Sequence, residues 1–118
     1  MSHEISVDLH LHTTYSDGVL SPKDLVNLCY KNGLKYISIT DHDCTDGIKE
    51  SIDIAKEIGK INIIPGIELS TQNEMHILGY YIDYQNKRLQ KILSEFRNDR
   101  VLRTKETITF LKKLGIEI

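Results

Sequence analysis

Histidines 10 and 12 stand two residues apart in a short apolar run, VDLHLHTTYSDG (residues 7–18). Residues i and i+2 of a strand point the same way. A strand here therefore presents both imidazoles, together with Asp8, on one face. Histidine fills a strand poorly, and burying it unpaired is costly. Two imidazoles side by side are what a single divalent ion takes as two of its ligands. A polar outer face on an edge strand is the plainer alternative for this motif taken alone. Asp17 follows at a Ser16-Asp17-Gly18 turn.

Three further stretches carry the same residue types. TDHD (40–43) offers Asp41 and His42 where a second apolar run ends. Asp43 there reads better as a turn or helix cap ahead of Thr45, and Cys44 as buried filler rather than a ligand. PGIELS (65–70) carries Glu68 just after the Pro65-Gly66 punctuation, and MHILGYYI (75–82) carries His76.

The elements that must position these groups follow from periodicity. Residues 5–12 alternate as a strand, with Ile5, Val7, Leu9 and Leu11 opposite the polar set. A helix follows, with Ser21 as N-cap, Pro22 at its first position and Asp24 in its first turn. Leu25, Leu28 and Cys29 form its apolar stripe, and Gly33 ends it. Residues 36–40 read as a second strand. A second helix over 45–60 has Ile48, Ile52, Ala55 and Ile58 on one side and stops at Gly59, and residues 61–69 make a third strand. Strand, helix, strand, helix, strand predicts an α/β fold with a parallel sheet and right-handed crossovers. About six residues then separate the third strand from 75–82, too few for a parallel crossover, so the link is a hairpin. A three-residue loop (71–73) would set Ser70 opposite Glu74 and Glu68 opposite His76, on one face. A slip of one residue would send His76 to the other face. From Lys87 to Leu114 the pattern is helical, with a break expected at Asn98-Asp99.

Strand ends of a parallel sheet are where α/β active sites are built. His10, His12, Asp17, His42, Glu68 and His76 all fall on that rim, and four of the five histidines of the chain are among them. Mixed imidazole and carboxylate ligands suit Zn, Mn or Fe better than Ca or Mg. Six candidates exceed the needs of one tetrahedral ion, so two or three ions are expected, with Glu68 placed to bridge two. The polar face of the first strand is then a ligand face, and the metal offsets the burial of its histidines.

Bulk composition is compatible with this reading. The 118 residues are 40% hydrophobic and 27% charged, as in an ordinary globular domain. No apolar run approaches a membrane span, no signal pattern opens the chain, and Cys29 and Cys44 are read as reduced thiols in a cytoplasmic protein. The net charge of −2 hides an asymmetry: residues 1–86 hold 6 Lys and Arg against 13 Asp and Glu, and residues 87–118 hold 9 against 4. The second segment can attract anions toward the acidic first one, with Arg97, Arg100 and Arg103 as the expected grip. A solvated basic helix is the plainer alternative.

The order and spacing of DLHLHTTYSDG, TDHD, GIE and HILGY resemble the PHP (polymerase and histidinol phosphatase) domain family, from about residue 7 to 82. The helix LQKILSEFRNDR that follows looks like the branch of small, stand-alone phosphoesterases. The resemblance implies a distorted (β/α)7 PHP-type barrel, up to three divalent ions, and hydrolysis of phosphate esters. It implies that His10 and His12 hold a first ion with Glu68, which bridges to a second ion bound by His76. Asp17 and His42 match ligands of a third. The family also carries a downstream histidine and an Asp-x-His motif. Residues 83–118 contain no histidine, so neither is present there, and each ion is expected to lack at least one ligand. Four strands and three helices do not close a barrel of about 200 residues or more. The chain is therefore expected to be the N-terminal portion of such a barrel over 1–86, followed by a long helical segment over 87–118 that starts an insertion.

The expected function is a metal-dependent phosphoesterase acting on a nucleotide or another small phosphate ester. Water activated by metal is the expected nucleophile, since no serine or cysteine is placed with a histidine base. An amidohydrolase-like metal hydrolase also opens with His-x-His, although TDHD and GIE fit it less well. A non-catalytic metal-binding or assembly fragment is the third reading. On any of these the sheet would stop with an open edge and with strand residues such as Ile37, Ile39, Ile61 and Ile63 uncovered, which invites self-association.

Overall fold

The structure, a computed structural model, describes residues 6–118, so Ile5 of the expected first strand lies outside the described residues. The elements run β1 (Val7–Leu11), α1 (Pro22–Lys31), β2 (Tyr36–Ile39), α2 (Asp46–Ile58), β3 (Asn62–Ile63), β4 (Gly66–Ser70), β5 (His76–Tyr80) and α3 (Lys87–Lys113). The first three strands form a parallel sheet in the order β1-β2-β3, as alternation of strands and helices demands.

Local chemistry starts and stops the helices where expected. The Ser21 side chain accepts from the Asp24 backbone N–H, Pro22 opens α1, and the chain leaves α1 through Gly33 at φ 81°. Helix α2 ends on Gly59 in the left-handed region. The buried face of α1 is Leu25, Val26 and Cys29, with Leu28 turned to solvent in place of its expected burial. These residues pack with Ile37 and Ile39 of β2, Ala55 of α2 and Ile61 into one core. Ile37, Ile39 and Ile61 are thus covered by the chain's own helices, and only Ile63 of the four expected open positions is half-buried at the β3 edge.

The expected third strand, 61–69, is two strands in two sheets. Pro65 carries no N–H to donate, so the ladder with β2 ends after the Ile64 N–H donates to the Ile37 carbonyl at 2.8 Å. The chain then bends into β4, which pairs antiparallel with β5 as a separate ribbon. The hairpin exists, but its loop is five residues (71–75) rather than three, with Glu74 at φ 58°. Ser70 therefore pairs with His76, and Glu68 with Leu78. The shift from the expected register is two residues, which preserves the face, so His76 still projects to the side of Glu68.

Two features lock the ribbon to the sheet. Glu68 bridges to the segment after β2: its N–H donates to the Asp41 carbonyl (3.2 Å), and its carbonyl accepts from the Asp43 N–H (3.1 Å). Gly66 makes the approach possible, since a Cβ there would lie 2.2 Å from Ser38 Oγ and 2.9 Å from Thr40 Cγ2. Helix α3 is continuous through Asn98-Asp99, against the expected break. Asn86 caps it by accepting from the Leu89 N–H at 3.0 Å. Its first half is anchored by fully buried Leu93 and by Gln90, whose Nε2 donates to Thr45 Oγ1 and the Tyr84 carbonyl. Beyond Arg100 its apolar residues Val101, Leu102 and Phe110 face solvent.

Gly66→Ala should lower the stability of the chain by about 1–3 kcal/mol through overpacking against β2. Gly79→Ala, whose added Cβ meets nothing closer than 3.4 Å, should cost less. Urea unfolding monitored by circular dichroism checks this as a shift in midpoint at unchanged slope. Equal midpoints for the two variants would contradict the close approach.

Candidate metal centre

Strand β1 does not alternate perfectly. Asp8 pairs with Ile37 and Leu11 with Ile39, so β1 spends three steps where β2 spends two. This bulge re-aims the end of the strand. The Asp8 carboxylate, expected beside the histidines, instead accepts from the His10 backbone N–H at 3.1 Å. His10 and His12 still converge, with ring centroids 5.2 Å apart.

All six residues singled out in the sequence come together around Glu68. Its Oε2 lies 2.9 Å from His10 Nε2, 2.8 Å from His12 Nε2 and 3.7 Å from His42 Nε2, and its Oε1 lies 3.4 Å from His76 Nδ1. Asp17 closes the other side, 2.7 Å from His12 Nδ1 and 3.2 Å from His42 Nε2. His12 is thus used at both nitrogens, one toward each carboxylate. Among the described residues the donor atoms fall into three groups compact enough to share an ion: His10, His12 and Glu68; His12, Asp17 and His42; and His42, Glu68 and His76.

The electrostatics are those of a carboxylate set in a ring of imidazoles. Burial pushes the Glu68 carboxyl up, but the hydrogen bond from His10 and the charges of His42, His10 and His12 outweigh it and hold the group below its ordinary range. Asp17 behaves alike: slight burial raises it, while the His12 hydrogen bond and the charges of His42 and His12 bring it lower overall. Both groups therefore stand ready as anionic ligands. The mixed nitrogen and oxygen donor set fits a divalent transition ion.

The supporting contacts were the part hidden from sequence. Asp41 does not cap α2. Its fully buried carboxylate accepts from the Thr13 N–H and hydroxyl, both at 2.7 Å, and from the Ser16 hydroxyl at 2.6 Å. It thereby pins the turn that carries Asp17. Gly18 closes that turn: a Cβ there would lie 2.4 Å from the His12 carbonyl oxygen. Tyr80 ties the ribbon to β1 by donating to the Leu9 carbonyl at 2.7 Å. Cys44 is buried and lies in none of the three groups. Its only sequence cue, adjacency to His42, carries no geometry.

A cleft of about 560 Å³ opens beside Asp17, His42 and His76. Tyr15, Ser16, Ser70, Arg97, Arg100 and Val101 complete its wall. Arg103 does not line it. That side chain, one turn beyond Arg100 on α3, lies along a neighbouring groove with Gln72 and Asp99.

The PHP domain family model matches residues 8–114. The chain belongs to the PHP domain family. It is similar to a 5'-3' exoribonuclease of Haemophilus influenzae, 40% identical over 112 residues that make up 92% of this chain and 40% of that protein. It is also similar to a 3',5'-nucleoside bisphosphate phosphatase of Chromobacterium violaceum, at 32% identity over 94% of this chain and 40% of the relative. Among solved structures, an amidohydrolase from Chromobacterium violaceum with bound sulfate superimposes with a TM-score of 0.85 at 31% identity, covering 97% of this chain and 41% of that one. The chain thus spans about two-fifths of the length of these two curated relatives.

Ions held in these groups lead to a ranked outcome. Glu68→Ala touches two of the three groups at their shared, buried atom pair and should release the most metal. His10→Ala touches one group and should release the least, with His12→Ala between them. Elemental analysis of Mn- or Zn-loaded protein after gel filtration measures this. Equal occupancy across the three variants would refute the shared-carboxylate arrangement.

Proposed function

We propose that this PHP domain is the metal-binding part of a phosphoesterase that hydrolyses a nucleotide-type phosphate ester. The observation that carries the proposal is the juxtaposition of the Glu68-centred histidine cluster with a cleft walled by two arginines. His10, His12, Asp17, His42, Glu68 and His76 would hold two or three divalent ions, with Mn, Zn or Fe favoured by the donor set. Such ions supply Lewis acidity toward a phosphoryl group and a nucleophile drawn from water at neutral pH.

The chain's own residues do the rest. Glu68 and Asp17, kept anionic, fix the positions of the imidazoles around them. Asp41, through Thr13 and Ser16, keeps the Asp17 turn from drifting. Arg97 and Arg100 offer planar donors suited to phosphate oxygens. A side-chain nucleophile is disfavoured: burial pushes both the Cys29 and the Cys44 thiols up, and the Ser70 hydroxyl is already engaged by Arg100 at 2.8 Å.

The relatives suggest the substrate class. An exoribonuclease and a nucleoside bisphosphate phosphatase both cleave a phosphate ester next to a nucleoside. The arginine wall favours an anionic substrate over the neutral amide of an amidohydrolase-like reading. We also propose that the α/β layer over 1–86 contributes to a distorted (β/α)7 barrel and that α3 begins an insertion in it.

The test compares release of phosphate from adenosine 3',5'-bisphosphate, with Mn or Zn and with EDTA, against cleavage of a simple amide. Phosphate release that EDTA abolishes supports the proposal, and amide cleavage alone would overturn it. In the same assay Arg97→Ala should raise KM about tenfold or more with metal content unchanged, as expected for a lost charge-assisted contact. Arg103→Ala, outside the cleft, should leave KM nearly as it is. Equal effects of the two would remove the arginine wall from the account.

A further inference from the structure

Asp43 is almost completely buried, at 1% exposure, although it is neither a metal-group member nor a helix cap. Its backbone adopts φ 48°, in the left-handed region that non-glycine residues seldom enter. That conformation turns its carbonyl toward α3, where Arg97 Nη1 donates to it at 2.7 Å. Its carboxylate is divided between two elements. Oδ1 accepts from the Ser70 N–H at 3.0 Å, and Oδ2 pairs with Arg100. Arg100 in turn donates to Ser70 Oγ at 2.8 Å, and that hydroxyl lies 3.4 Å from His42 Nδ1. One residue therefore fastens both cleft arginines to the turn that carries His42.

We infer that Asp43 is a positioning residue that holds Arg97 and Arg100 as a preorganised anion grip beside the metal cluster. The inference rests on the phosphoesterase reading and deepens it: the substrate presents a phosphate to the arginines while the ester to be cleaved faces the histidines. An arginine side chain gives up rotamer freedom when it binds an anion. Asp43 and Ser70 impose that ordering in advance, so less is lost on binding. The partly exposed Arg100 keeps donors free toward the cleft, with 41% of its side chain accessible. The titratable side chains facing this wall across the cleft are Tyr15, Asp17, His42 and His76.

Charge and positioning make opposite claims about Asp43→Asn. The substitution removes a negative charge next to two arginines, so electrostatics alone would tighten anion binding. Positioning says that Arg100 loses its fixed partner and anion binding weakens. Asparagine tolerates the left-handed region, and the Asp43 backbone carbonyl that receives Arg97 remains. The experiment titrates inorganic phosphate into metal-free protein in EDTA. Binding is read from the arginine Nε–H resonances and from calorimetry. Wild type should respond at Arg97 and Arg100, and Asp43→Asn should bind phosphate about tenfold more weakly. Binding that is unchanged or tighter in the variant would overturn the inference, as would a wild-type protein whose arginine signals do not move. Should Asp43→Asn fail to fold, Arg100→Lys decides, because it keeps the charge but loses the fork between Asp43 and Ser70. Weakening supports the inference, and unchanged affinity refutes it. Metal-dependent turnover without a phosphate response at the arginines sinks the grip and spares the phosphoesterase reading. A phosphate response lost in Asp43→Asn, with no turnover, does the reverse.

Discussion

Glu68 ties the main chain and the chemistry together. Its backbone N–H and carbonyl flank His42 by bonding to Asp41 and Asp43, which sets the hairpin ribbon across the end of the parallel sheet. Its carboxylate, only 9% exposed, sits among four imidazoles. A buried carboxylate without partners would be strongly destabilising, and losing one partner of a buried pair is costly too. The residues that make the cluster are thus also the ones that hold two sheets at one rim. A bound divalent ion would satisfy the same lone pairs, and its binding would then be coupled to the docking of the ribbon.

The acidic and basic halves of the sequence meet at this rim. Helix α3 carries its positive charge back across the end of β2, where Arg97 and Arg100 reach the Asp43 turn. The acidic first segment would repel a phosphate unless cations intervened. Under the proposed reading two kinds would serve: ions held by the histidine groups and the arginines of the cleft. On the proposed function, a phosphate ester would then have two separate points of attachment, one for the reacting group and one for orientation.

Much of this was legible in the residues. Ser21, Pro22 and Gly59 mark helix ends because capping is local chemistry that tertiary packing rarely overrides. The parity of the β4–β5 hairpin was legible from the positions of Glu68 and His76, since only an even shift keeps both on one face. Its loop length was not, because five- and three-residue loops differ by turn geometry that Thr71 to Met75 do not announce. The β1 bulge and the split at Pro65 were missed for a related reason: alternation is a pattern over several residues and is blind to one extra step. The roles of Asp41 and Asp43 were hidden because each bonds to partners distant in sequence, Thr13 and Ser16 in one case and Ser70 and Arg100 in the other. Charge alone could not separate Arg103 from Arg97 and Arg100, since Arg100 and Arg103 are neighbours one turn apart on α3 and only the fold shows which of them reaches the cleft.

The central claim is that one buried carboxylate organises a multi-ion centre. The most direct measurement is a crystal structure of Mn-loaded protein with anomalous difference maps collected above and below the Mn edge. The account predicts two or three peaks within coordination distance of the histidine and carboxylate atoms, with Glu68 Oε1 or Oε2 bound to two of them. Peaks away from Glu68, or a loaded crystal in which Glu68 touches no ion, would contradict it.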